Sequence, residues 1–474
     1  MKVLIIGGTN FIGPPLVRRL VGLGHEVAVF HQGQTQADLP LGVEHVLGNR
    51  HHLGAHADEF RRFGPEVVVD MIAYIEADAA GLVETFRGLA RRTVVVSSAD
   101  VYRAYGRFIG TEDGPVEPTP LTEESPLRTD LFPYRSHAQG PDDFFHTYDK
   151  IPVEQVVINE PDLPGTVLRL PMVHGPGDPY RRLSAYLKRM DDGRPAIVLD
   201  EAMARWKCPR GYVENVAAAI TLAVVDERAT GRTYNVADPV AFDEAEWVRR
   251  LGGVVGWRGR VETVPGDRIS LPYRMGQGID MNSDRIRREL GYAEPVPPGE
   301  ALEQTINWER ANPPTTVQSF GLLGYEAEDE LLAGSGPGLL VGQCKPGEEP
   351  VEFLRTTVET INGMVGSQFL DPQRIAHGLD PPSNGPGSWN NRESRGNSRG
   401  GASRAVRNAC QRSASSPNRV RLASVSPARS NALSSTNSLT ERWATCAAAW
   451  SVSFASGESR KSSFALRTDR SDMV

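Results

Sequence analysis

Seven residues near the start of the chain carry the clearest chemistry. Gly7-Gly8-Thr9-Asn10-Phe11-Ile12-Gly13 follows a short apolar run and opens a stretch with helical spacing. A backbone that turns tightly and approaches a pyrophosphate leaves no room for side chains. The helix behind it supplies free N–H groups and about +0.5 of a charge. The strand–turn–helix setting therefore points to a dinucleotide, with Gly7 and Gly13 closing the turn and Thr9, Asn10, Phe11 and Ile12 lining it. Asn10, midway between, tolerates a left-handed backbone better than most residues. At the end of the next strand an NAD-specific site places an acid against the ribose hydroxyls. Here His31 stands there, followed by Gln32-Gly33. No carboxylate repels a 2′-phosphate, so the cofactor is NAD or NADP, with Arg50 a nearby cation for the phosphate.

The elements around this turn alternate. Val3–Ile6, Val27–Phe30, Val43–Leu47, Val67–Val69, Thr93–Val96 and Thr166–Leu170 are short apolar runs, the mark of strands buried on both faces. Ile12–Leu23, Ala77–Arg91 and Lys150–Asn159 show helical spacing. Repeated β-α-β units of this size predict an α/β fold: a doubly wound parallel sheet of Rossmann type with helices on both faces. Residues 103–145 are rich in Pro, Gly and acids and lack periodicity, which predicts a long functional loop or insertion. From Pro171 the elements shorten, as in a smaller C-terminal substrate subdomain. Pro298–Arg310 reads as the last core helix and Tyr325–Leu332 as a short acidic helix at the edge. The expected organisation is a dinucleotide-binding domain over 1–170, an interleaved substrate subdomain over 171–312, an edge segment over 313–335 and a disordered tail over 336–474.

Composition narrows the function classes. Of 474 residues, 39% are hydrophobic and 23% charged, an ordinary globular balance with a net charge of -7. Residues 381–474 hold 14 Lys/Arg against 5 Asp/Glu, together with 21 Ser. That stretch buries too little apolar surface to offset its chain entropy. The rest of the chain is acidic, so nucleic acid is not the expected partner of the core. The basic tail lacks the interleaved aromatics of a nucleic-acid binder. Cys208, Cys344, Cys410 and Cys446 form no C-x-x-C, so neither a disulfide framework nor a metal site is expected. No apolar run approaches ~18 residues, and Met1-Lys2 runs straight into a strand without a signal-peptide pattern. The chain is thus read as cytoplasmic, with no membrane partner.

Further motifs bring a family into view. Gly7 and Gly13 match the outer glycines of G-x-x-G-x-x-G, and Ser97-Ser98-Ala99-Asp100-Val101-Tyr102 resembles S-S-x-x-V-Y. Lys150-Ile151-Pro152-Val153-Glu154 resembles the second half of Y-x-x-x-K-x-x-x-E, and Leu168 to Pro176 resembles L-R-x-x-x-V-Y-G-P. Over about 1–312 the chain resembles the extended short-chain dehydrogenase/reductase family, of the NAD-dependent epimerase/dehydratase type. Its Gly-Gly-Thr-x-Phe-x-Gly turn resembles an atypical branch that includes chloroplast stem-loop RNA-binding proteins. The resemblance implies that Ser98 holds the substrate oxygen, that Lys150 binds the nicotinamide ribose, that Asn49 reads the adenine and that Pro171 lies on the cofactor side. It also implies a tyrosine at 146, one helical turn before the lysine, where His146 stands.

Three readings of that exchange stay open. His146 itself shuttles the proton, as an imidazole suits near neutral pH. Tyr148 substitutes, if the helix starts late near Pro152. Or the site binds without turnover. On the substrate side, Met172 occupies a position that is Asn in many nucleotide-sugar enzymes. The family's phosphate-binding Arg falls on Cys208, with Arg205, Lys207 and Arg210 around it; Arg210 is the expected substrate contact. The resemblance implies hydride transfer to or from a small sugar-like or nucleotide-sugar substrate, by an epimerase, dehydratase or reductase. A dinucleotide-binding regulator or RNA-binding protein is the alternative. Family members are often homodimers, though no feature of this sequence bears on that.

Overall fold

A computed structural model describes residues 1–315 apart from Gln36, Asp267 and Pro272, together with 322–334 and a two-residue strand at 339–340. The remainder of the tail expected over 336–474 lies outside the described residues. The first half of the chain runs β1 (Lys2–Ile6), α1 (Gly13–Gly22), β2 (Glu26–His31), β3 (Glu44–Leu47), α2 (Ala57–Phe63), β4 (Val67–Asp70), α3 (Glu76–Phe86), β5 (Arg92–Ser98), α4 (Arg103–Ile109), α5 (Phe144–Thr147), α6 (Lys150–Ile158) and β6 (Gly165–Leu170). There follow β7 (Met172–His174), α7 (Ser184–Asp191), β8 (Ala196–Asp200), α8 (Glu201–Arg205), β9 (Arg210–Tyr212), α9 (Val213–Val225), β10 (Thr233–Asn235), α10 (Glu244–Val255) and β11 (Arg260–Val264). The series closes with β12 (Ile269–Ser270), α11 (Asp284–Leu290), α12 (Pro298–Ala311), α13 (Tyr325–Leu332) and β13 (Leu339–Leu340).

Seven strands form one parallel sheet in the order β10-β6-β5-β4-β1-β2-β3. Apolar runs such as Val3–Ile6 and Val67–Val69 are buried throughout, because helices cover both faces. On one face Leu16, Val17 and Leu20 of α1 pack with Val216, Ala217 and Ile220 of α9. On the other, Leu82 and Phe86 of α3 pack with Val153 and Val157 of α6. The order reverses at β1, which lies between β2 and β4, so the crevice for a ligand opens at the C-terminal ends of these strands. The stretch expected as a substrate subdomain contributes α9 and β10 to this sheet. It also makes two separate parallel pairs, β7 with β9 and β8 with β11.

The connection 103–145 is less irregular than its composition suggests. It contains α4, whose Tyr105 and Phe108 are fully buried. Phe108 stacks between Trp206 and Tyr273, at ring separations of 4.9 and 5.0 Å. Partners about 100 and about 165 residues away hold this helix, and they leave no periodic signature in a seven-residue segment. The helix expected over Ala77–Arg91 ends at Phe86, where the chain turns through Gly88 at φ 74°.

Candidate active site

The glycine turn sits at the end of β1, at the reversal of strand order. Gly7 has φ 86°, and a Cβ there would lie 2.8 Å from the Ile72 side chain. A Cβ on Gly13 would overlap the backbone carbonyl of Gly8, so α1 can start this close to β1 only with glycine at both places. The left-handed non-glycine residue of the turn is Phe11, at φ 46°, and not Asn10 as the sequence suggested. The Asn10 carbonyl accepts from the Gly13 N–H at 2.8 Å, closing the turn. Thr9, Phe11 and Ile12 are buried beneath it. A cradle that a Cβ would fill, at the start of a ten-residue helix, fits a pyrophosphate.

At the end of β2, the His31 Nδ1 accepts from the Gly33 N–H at 3.1 Å, and its Nε2 lies 2.9 Å from the His45 Nδ1. Partial burial, then the neighbouring His45, lower the His31 pKa, so no fixed charge stands at the ribose end. Arg50 is a correction: it is buried, paired with Asp70 and donating to the Ile72 carbonyl at 3.3 Å, and does not reach out toward a 2′-phosphate. Asn49 caps the following turn, its Oδ1 accepting from the His51 N–H at 3.0 Å.

The candidate proton-transfer residues lie around the ends of β4, β5 and β6. In sheet register Ser98 lies beside Leu170, and Pro171 follows directly. The Ser98 Oγ accepts from the Asp100 N–H at 3.2 Å, and the Ser97 hydroxyl donates to Glu154 at 2.5 Å. Glu154 also takes the Arg169 guanidinium at 2.7 Å, a buried pair that fixes α6 against β6. Lys150 is the first residue of α6 and is buried; its Nζ donates to the Ala73 carbonyl at 2.6 Å and the Val96 carbonyl at 3.1 Å. Burial lowers its pKa to about 8, against the opposing charges of Asp100, Asp70 and Asp78.

His146 is not one turn before Lys150 on the same helix. It belongs to α5, and the chain breaks at Tyr148-Asp149 before α6 begins. Asp149 causes the break: its carboxylate caps α6 by accepting from the Ile151 N–H at 2.9 Å, and it pairs with buried Arg128 at 2.9 Å. His146 is partly exposed, and Arg135 binds its carbonyl oxygen at 2.9 Å. The break turns Tyr148 inward instead. Its hydroxyl donates to Asp100 Oδ2 at 2.7 Å, and its ring lies 6.3 Å from Tyr74, over which Lys150 sits at 4.7 Å. Asp100, Arg128 and Tyr74 drew no attention in the sequence, because contacts across the 103–145 connection leave no local pattern.

Met172 and Arg210 line one small cavity, with His174, Tyr186, Trp206 and Trp247. Its volume is about 30 Å³, enough for roughly one or two waters. Arg210 is a second correction, since it is not a surface cation awaiting a phosphate. It is buried, paired with Glu244 and stacked over Trp247 at 4.4 Å. Arg205 is exposed and bound to Glu201 at 2.6 Å, and Cys208 is fully buried. Among the described residues no helix is long and apolar enough to cross a membrane.

Residues 3–237 match the family described as NAD dependent epimerase/dehydratase. The chain is similar to 2′-dehydrokanamycin reductase of Streptomyces kanamyceticus, 27% identical over 264 residues, which span 54% of this chain and 67% of that protein. It is similar also to 2-alkyl-3-oxoalkanoate reductase of Stenotrophomonas maltophilia, 26% identical over 271 residues, 54% of this chain and 76% of that one. In fold it is similar to the crystal structure of dTDP-glucose 4,6-dehydratase from Bacillus anthracis in complex with NAD, with a TM-score of 0.51, 16% identity and coverage of 66% of this chain and 97% of that chain.

Proposed function

Because residues 3–237 belong to the NAD dependent epimerase/dehydratase family, we propose that this protein is an NAD(P)-dependent oxidoreductase acting on a carbonyl or carbinol carbon of a small sugar-like substrate. The observation that carries the reading is the arrangement at the strand ends: the Gly7–Gly13 turn follows β1, Ser98 closes β5, Tyr148 bonds Asp100 two residues past it, and Lys150 bonds the carbonyls of Val96 in β5 and of Ala73 beyond β4. A nicotinamide dinucleotide supplies hydride chemistry when bound. The turn and the α1 N-terminus would hold its pyrophosphate, His31 and Asn49 would meet its adenosine half, and Pro171 and Lys150 would meet its nicotinamide half.

Within that frame the chain's own residues orient the substrate and move a proton. Ser98 aligns the substrate oxygen, and Tyr148 delivers the proton to it or takes it away. Tyr148 is favoured over His146 because its hydroxyl is directed into the buried cluster, whereas His146 stays on the preceding turn. Met172 and Arg210 shape the substrate side. A nucleotide diphosphate calls for a free cation, and Glu244 already takes Arg210. That leaves exposed Lys207 as the cation of this stretch for such a group.

Titration of the full-length protein with NADH and NADPH, followed by nicotinamide fluorescence, tests the reading. Micromolar binding of either supports it. Folded protein that binds neither overturns it.

A further inference from the structure

The group that touches the Tyr148 hydroxyl is a carboxyl, not the lysine ammonium. Asp100 is fully buried, and its Oδ2 accepts from Tyr148 at 2.7 Å and, more distantly, from Tyr134 at 3.5 Å. Tyr134 in turn lies 2.8 Å from the Tyr105 hydroxyl, so three phenols and one carboxyl form a continuous buried chain. Asp100 Oδ1 has no hydrogen-bond partner among the described residues. A carboxylate with a naked oxygen away from water is costly, and protonation relieves the cost.

The charged groups facing Asp100 offset this only in part. Arg128, from the connecting segment, donates to the Asp100 backbone carbonyl at 2.5 Å, and its guanidinium charge is matched by Asp149. Lys150, on α6, gives its protons to the Ala73 and Val96 carbonyls. The remaining neighbours, Tyr105 on α4 with Tyr134 and Tyr148, are neutral phenols.

We propose that Asp100 is a positioning residue that aims the Tyr148 hydroxyl and stores the proton that Tyr148 passes on. In the reducing direction the substrate carbon receives hydride from the reduced dinucleotide while the Tyr148 O–H bond breaks and its proton goes to the substrate oxygen. The Asp100 O–H bond then breaks, its proton restores the Tyr148 hydroxyl, and Asp100 is left as a carboxylate for solvent to reprotonate. Oxidation runs the same transfers backward. Burial, opposed first by Arg128, pushes the Asp100 carboxyl up to about 6. Burial first, then the Asp100 charge, drives Tyr148 well above its ordinary value. An ionised Asp100 therefore makes Tyr148 a weak acid, and a protonated one both removes that charge and refills the phenol.

This inference rests on Tyr148 as the proton-transfer group, and its test separates the two. Infrared difference spectra of the full-length protein between about pH 5 and 8 should show the stretch of a protonated buried carboxyl. One component should be lost in Asp100→Asn and shifted in Tyr148→Phe, while the components of Asp238 and Glu309, which burial pushes up to about 7 and about 8, stay in both variants. With NADPH and butanedione as probe, the wild-type reductive rate should rise several-fold as pH falls from about 7.5 to 5.5, and Asp100→Asn should change by less than about twofold. A folded Asp100→Asn that keeps every component of the wild-type band, or the wild-type pH profile, overturns the proposal, while turnover lost in Tyr148→Phe leaves the broader reading standing. Turnover retained in Tyr148→Phe overturns both. The infrared measurement decides without any substrate.

Discussion

The Lys150 ammonium lies 2.6 Å from the Ala73 carbonyl oxygen, which ties the first turn of α6 to the chain just beyond β4. Two carbonyls hold this cation and, among the described residues, no carboxylate touches it, although three carboxylates act on it at longer range. The arrangement makes Lys150, a candidate site residue, a cost to the fold.

That cost depends on pH with a definite sign. Lys150 falls from an ordinary 10.5 to about 8 in the folded protein, so between these values the unfolded chain binds the extra proton. Stability contributed at this position should rise from about pH 8 to 10.5, by an amount on the order of 3 kcal/mol. Urea unfolding of wild type and Lys150→Met across this range checks it. The wild type should gain relative to the variant as pH rises, and parallel curves would refute the assignment.

Proton transfer by Tyr148 predicts an uneven pair of variants. Tyr148→Phe should lower kcat by about 10²–10⁴-fold, and His146→Ala should change it by less than about fivefold. NADPH oxidation at saturating substrate measures both. The reverse ranking would return the role to His146.

The glycine turn predicts another uneven pair. Gly13→Ala drives a methyl into the Gly8 carbonyl, and should cost about 1–3 kcal/mol and most of the dinucleotide affinity. Gly22→Ala, at the last position of α1, meets open space and should be neutral or stabilising by up to ~1 kcal/mol. Thermal unfolding with NADH titration distinguishes the two.

Glu154 takes both the Arg169 guanidinium and the Ser97 hydroxyl in a buried setting. Glu154→Ala leaves a buried cation unpaired and should destabilise by about 3–5 kcal/mol. Equilibrium urea unfolding measures this, and a loss below about 1 kcal/mol would show that water reaches Arg169.

Much of this protein is legible in one dimension. The glycine turn, the alternation of buried strands and helices, and the Lys150–Glu154 spacing are local patterns, because sterics and hydrophobic period act over a few residues. The same locality explains what misled. A motif register assumes one continuous helix from 146 to 150, and Asp149 breaks it by capping α6 for itself while bonding to Arg128. Arg210 reads as a free cation only until Glu244, 34 residues on, is folded against it. Tyr148 finds Asp100 across 48 residues of mostly aperiodic chain. Short-range sterics and periodicity write the scaffold into the order of residues. The partner of each buried charge is set by which aperiodic segments fold back together, since a buried ion must find a counter-charge or hydrogen bond wherever the packing offers one.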